Sequence, residues 1–217
     1  MSRKFPSDEI LADYASGALP AGLSLLVASH LTYSPESRRR VRDLESLGGV
    51  MLSASAAEGL GAPDLDAALA RLDAPTAPDR QADDAPIRAD GRAVLPAPLR
   101  RALGHDADDL AWKFRLPGLS EYEIDGFEGE EVSLLRARPG APLLSHTHEG
   151  MESTLVLTGL LEDRGQVYAR GDVSVATEDD DHRPRIVGEE TCICLIVMSG
   201  GLRFTGPFSR ALNLFAE

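Results

Sequence analysis

The segment at residues 73–90 (DAPTAPDRQADDAPIRAD) constrains this chain most, because it cannot form part of a packed core. It sets Pro75, Pro78 and Pro86 among charges and alanines, with too little apolar surface to offset the entropy of ordering it. Apolar periodicity differs on its two sides. Before it, spacings of three and four predict helices; after it, short apolar runs at close intervals predict strands. The expectation is a helical domain over residues 1–74, a linker over 75–91 and an all-β domain over 92–217.

The helical half carries its own start and stop signals. Ser7 can cap a first helix with Asp8 and Glu9 in its first turn, Ile10, Leu11, Tyr14 and Ala15 on one stripe, and Gly17 at its end. Pro20 opens a second segment, 21–31, apolar on most sides, as a central bundle helix would be. Ser34-Pro35-Glu36 predicts the cap and first turn of a third helix, carrying Val41, Leu44 and Leu47 and stopping at Gly48-Gly49. Pro63-Asp64 begins a fourth, with Leu65, Ala68, Leu69 and Leu72 on one face.

Charge and cysteine usage narrow the function classes. With 35 acidic against 22 basic residues the chain carries a formal charge of -13, which argues against direct nucleic-acid binding and in favour of a basic partner. Cys192 and Cys194 lie in one apolar run, which reads as buried inert thiols rather than a disulfide framework, and a reducing cytoplasm is the simplest compartment. No apolar run approaches the roughly 18 residues of a membrane span, so no membrane association is expected.

In the second half, strand-like runs begin near Trp112, Val132, Thr154, Val173 and Cys192, separated by glycines and acidic turns, and indicate a sandwich or barrel. Within it stand His146-Thr147-His148, then Glu152, then His182. Residues two apart on a strand face the same side, so His146 and His148 can both point into a barrel, with Glu152 entering on the next strand. Three imidazoles and a carboxylate are a donor set for one divalent transition ion, with zinc favoured over iron, manganese or nickel. Asp181 and the backbone are expected to orient the rings. His105 reads as a surface residue, and the run 178–181 as a solvated acidic loop.

The series Gly140, His146-x-His148, Glu152, Gly159 resembles the first signature motif of the cupin superfamily. Gly165, Tyr168, Gly171-Asp172 and His182-x-Pro184 resemble the second motif, with a longer stretch than usual before His182. The resemblance spans about residues 105 to 210 and implies a conical β-barrel (double-stranded β-helix) with a metal inside.

The first half is similar to ChrR-type anti-sigma factors. The carrying residues are Ser7-Asp8-Glu9-Ile10-Leu11, Tyr14-Ala15, Gly17, Leu19-Pro20, and the run from Ser24 to Leu31. In zinc-binding members, the resemblance implies, a histidine on the second helix joins two cysteines and an N-terminal histidine in a zinc site. This chain keeps His30 but has Ser34, Ser37 and Phe5 at the other positions, so no zinc is expected there. His30 then reads as a partly buried helix histidine with a local hydrogen bond.

The resemblance implies a protein that sequesters an extracytoplasmic-function sigma factor, with a cupin needed for the response to oxidative stress such as singlet oxygen. The contact is expected from helix four (Leu65, Leu69, Leu72) beside helix one (Ile10, Leu11, Tyr14), unless both stripes close the bundle's own core. Stripes left exposed would allow a homodimer of the free protein. The alternative reading is a cupin metalloenzyme, dioxygenase-like, with an accessory helical domain. Catalysis is the less favoured of the two.

Overall fold

A computed structural model describes residues 4–54, 66, 69–70 and 93–205. Helix α1 (Asp8–Ser16) starts where Ser7 Oγ accepts the Ile10 amide at 3.2 Å and ends at Gly17 in the left-handed region. Helix α2 (Ala21–Leu31) follows Pro20, which supplies no side-chain cap. Helix α3 (Pro35–Ala54) begins with Ser34 Oγ accepting the Ser37 amide. It runs through Gly48-Gly49 instead of stopping there, because two helix-weakening residues do not outweigh the flanking Leu44, Leu47, Val50 and Met51. Leu11, Val27 and Val41, one from each helix, form a small bundle core.

Of the expected fourth helix only Asp66, Leu69 and Ala70 are among the described residues, and they are helical. Leu65, Leu72 and the linker lie outside them. A short helix α4 (Ala97–Leu103) leads into the β half and closes on Gly104.

Among the described residues eleven strands follow: β1 (Lys113–Leu116), β2 (Leu119–Glu123), β3 (Glu131–Ala137), β4 (His146–His148), β5 (Met151–Thr158), β6 (Leu160–Asp163), β7 (Gln166–Tyr168), β8 (Val173–Ala176), β9 (Arg185–Val187), β10 (Cys192–Ser199) and β11 (Leu202–Phe204). Six pair antiparallel in the order β1-β2-β3-β10-β5-β8. Two smaller sheets are β7-β6-β9 and β11-β4, and His146 of β4 makes an isolated bridge to His182, ahead of β9, with both backbone hydrogen bonds at 3.1 Å.

Strand β10 is apolar on both faces for a reason visible in its alternation. Cys192, Cys194, Ile196 and Met198 line a cavity of about 900 Å³ inside the barrel. Ile193, Leu195 and Val197 face outward and are buried under helices: they share one core with Leu23 and Leu26 of α2 and Leu99 of α4. The helices and the large sheet thus share one core, α2 covering the sheet's outer face. At the approach, a Cβ on Gly22 would sit 2.6 Å from Val132 Cγ2, so glycine sets how closely the helix can lie.

Candidate metal centre

His146 and His148 stand on β4 and Glu152 on β5, joined by a turn that only glycine permits: a Cβ on Gly150 would lie 1.7 Å from the Ser199 carbonyl oxygen. His182 arrives from the segment before β9, outside any sheet. Its antiparallel bridge to His146 places the two residues opposite each other, so the longer stretch before His182 is absorbed in a loop and does not displace the ring. One ligand-capable atom from each of His146, His148, Glu152 and His182 lies within 4.8 Å of all the others. The rings are nearly enclosed, with side-chain exposures of 12% for His146, 2% for His148 and 1% for His182.

Hydrogen bonds fix which nitrogen two of the three rings present. His146 Nδ1–H donates to the Leu144 carbonyl at 2.8 Å, and His182 Nδ1–H donates to Asp163 Oδ1 at 2.9 Å. Both Nε2 atoms therefore carry lone pairs toward the centre. His146 Nε2 is buried without a hydrogen-bond partner among the described residues, and His148 Nε2 faces His182 Nε2 at 2.9 Å. His182 Nε2 brings a lone pair to that contact, so a proton on His148 Nε2 or a cation lies between the two nitrogens. Glu152 Oε2 lies 3.6 Å from both His146 Nε2 and His148 Nε2, and Glu152 Oε1 accepts from the Thr154 hydroxyl. Orphaned buried nitrogens, converging lone pairs and one carboxylate fit a divalent cation.

Charge placement matches. Burial opposes ionisation of Glu152, but His146 and the other surrounding imidazoles outweigh it and hold the carboxyl below its usual range. Burial likewise disfavours a charged His146, yet Glu152 raises its pKa above the ordinary value; at His148 burial prevails and the pKa is lowered.

Asp163, which orients His182, has no counterpart in the sequence reading. That reading expected Asp181 to orient the rings, but the Asp181 carboxylate accepts from the Thr205 hydroxyl instead. Asp163 ends β6 at a tight turn whose Arg164 (φ 49) and Gly165 (φ 75) are both left-handed, and Arg164 Nε returns to Asp163 Oδ2 at 3.2 Å. Arg164 also reaches Asp180 at 2.7 Å, so one residue of the supposed solvated acidic loop is tied through Arg164 and Asp163 to His182. An acid before a glycine turn is a legible hairpin signal; its contact with a histidine 19 residues on is not.

His105 is exposed, and Cys192 and Cys194 are buried with Sγ atoms 3.5 Å apart. The Cys192 hydrogen bond and burial push the Cys194 thiol well up, as an unreactive thiol requires.

A second cluster joins the helices to the barrel. His30 is fully buried, not partly, and only one of its bonds is local. Its Nδ1–H donates to the Gly171 carbonyl at 2.7 Å, while Nε2 accepts from Ser37 Oγ at 2.8 Å, and Ser34 Oγ donates to Ser37 Oγ. The Phe5 ring stands edge-on to His30, with ring centroids 6.0 Å apart. His30, Ser34, Ser37 and Phe5 thus meet, as a hydrogen-bond chain beside an aromatic ring.

Residues 101–200 match the ChrR Cupin-like domain family. Across 98% of this chain and 97% of the relative, the sequence is 34% identical over 216 residues to anti-sigma-E factor ChrR of Cereibacter sphaeroides. The chain belongs to the ChrR family. It is also similar to a chain in the crystal structure of Rhodobacter sphaeroides SigE in complex with the anti-sigma ChrR, at 31% identity and a TM-score of 0.76, covering 91% of this chain and all of that one. An RmlC-like cupin protein from Ralstonia eutropha matches 51% of this chain and 82% of its own at 20% identity, with a TM-score of 0.41. This ChrR-family chain therefore shares both its helical and its cupin parts with an anti-sigma factor, and no single helix among its described residues is long and apolar enough to cross a membrane.

Proposed function

We propose that this protein holds an extracytoplasmic-function sigma factor through its helical segment and that its metal-loaded cupin governs release. The observation that carries this reading is the match over nearly the full length of an anti-sigma factor, helices and barrel together. The enzyme reading accounts for the barrel alone and leaves the helices without a role.

The holding surface follows from exposure. Leu11 is 1% exposed, enclosed by the bundle's own core, and Ile10 and Tyr14 pack against that core. The second half of α3 is different: Leu47, Val50, Met51 and Leu52 are 57–77% exposed, and Leu69 is 49% exposed. Apolar residues presented together to solvent are a protein-binding surface. The acidic residues of the chain, net -13, suit a partner with basic DNA-binding surfaces and speed encounter with it.

His146, His148, Glu152 and His182 are the residues that would hold the ion, with zinc proposed. Bound there, it would supply a Lewis-acidic coordination position open to small molecules entering the barrel. The chain's own groups do the positioning: the Leu144 carbonyl and Asp163 fix two rings, and Thr154 holds the carboxylate. In the helical segment, His30 Nε2 is engaged by Ser37, which supports a metal-free bundle. Co-expression with the extracytoplasmic-function sigma factors of the same genome tests the reading. A stable complex containing one ion per chain is expected, and failure to co-purify with any of them would contradict it.

A further inference from the structure

Helix α2 is held to the barrel at both ends. At its start, where Pro20 offers no cap, the Glu130 carboxylate accepts the Gly22 amide at 2.6 Å and the Leu23 amide at 3.0 Å. At its end His30 donates to Gly171. The two attachments differ in what lies behind them. Gly171 is not part of the cavity wall. Glu130 is: it closes the loop between β2 and β3, and Ile124, Asp125, Phe127, Glu130 and Val132 line the same cavity as His146, Glu152 and His182. Val132 also packs against α2. The loop therefore has the cavity on one side and the first turn of α2 on the other.

We propose that Glu130 is the positioning residue through which a change inside the barrel reaches the helical segment. The inference rests on the functional reading above and adds the route. Displacing the wall at residues 124–130 moves the carboxylate, and the Gly22 and Leu23 amides, which have no alternative acceptor in the helix, are carried with it. The start of α2 then swings on its His30–Gly171 end, and because Val27 of α2 packs between Leu11 and Val41, the bundle that holds the sigma factor shifts with it. The bundle core contains no part of the barrel, so it persists without Glu130. Loss of Glu130 should uncouple the response while leaving sigma binding in place.

The test uses the full chain and its sigma complex, comparing wild type with Glu130→Ala and Glu130→Asp. Hydrogen exchange at the Gly22 and Leu23 amides of the free protein should quicken by about tenfold or more in Glu130→Ala, the worth of a lost hydrogen bond to a charged group. Sigma affinity should stay within about threefold of wild type, whereas release under photosensitised singlet oxygen should slow by about tenfold or more. Glu130→Asp, which keeps the charge, should recover part of both effects. Unchanged exchange, or a Glu130→Ala complex that releases as fast as wild type, overturns the inference, as does loss of sigma binding in Glu130→Ala. A wild-type chain that holds no sigma factor overturns the functional reading itself, a result distinguishable from the others.

Discussion

His30 and Gly171 are 141 residues apart in the sequence and 2.7 Å apart in the fold, His30 Nδ1 donating to the Gly171 carbonyl. A neutral ring satisfies this bond and the one from Ser37 together. Burial, opposed by the Gly171 bond and by the charge of nearby Asp172, holds the His30 pKa below 6.5.

The sign of the resulting pH dependence is fixed. As pH falls through 6.5 the unfolded chain takes up a proton at His30 and the folded chain does not, so stability declines until the folded pKa is reached. The slope from this one group is at most about 1.4 kcal/mol per pH unit. Urea unfolding at a series of pH values between neutrality and mild acid should show a steeper loss for wild type than for His30→Gln. Parallel slopes would contradict the buried neutral ring.

Asp163 acts on the metal centre through His182. Asp163→Ala leaves that ring without its orienting acceptor and should lower zinc affinity by roughly 10- to 100-fold. Competition against a chromophoric chelator measures it directly. Asp181→Ala, whose carboxylate faces Thr205, should change affinity little.

Leu47→Glu and Val50→Glu place a charge on the exposed half of α3. Each should weaken sigma binding by about tenfold or more, because a charge is buried unpaired in the interface. Thermal stability should change little, since both side chains are more than half exposed. Titration calorimetry and melting curves on the same preparations separate the two effects.

The second cluster offers a gain of function. Combining Phe5→His, Ser34→Cys and Ser37→Cys around His30 supplies two thiolates and two imidazoles where the residues already meet. Zinc content should rise from one to two ions per chain. A content that stays at one would show that Phe5 does not stand at the ligand position.

Local signals in the sequence were read well where a few neighbouring residues decide the structure. Ser7 and Gly17 bound α1, and His146 and His148 share a face because strand alternation leaves no other choice, with Glu152 brought in by the turn at Gly150. Gly48-Gly49 misled as a stop because helix weakness is a matter of degree and the run on both sides is helix-forming. The rest depends on contacts distant in sequence. Nothing near Glu130 indicates that it caps α2, and nothing near Asp163 indicates His182; both follow from how the sheets close and from the covering of the large sheet by α2. The apolar alternation of β10 on both faces was legible, and it is explained by a cavity on one side and helices on the other.

We propose that the cupin's metal centre governs a sigma factor held by the helices. The most direct test is the rate at which preformed complexes release sigma under photosensitised singlet oxygen, compared between wild type, His146→Ala and Glu152→Ala. Wild type should release sigma and both variants should retain it, with sigma affinity before illumination unchanged. Release from the metal-site variants at the wild-type rate would contradict this proposal.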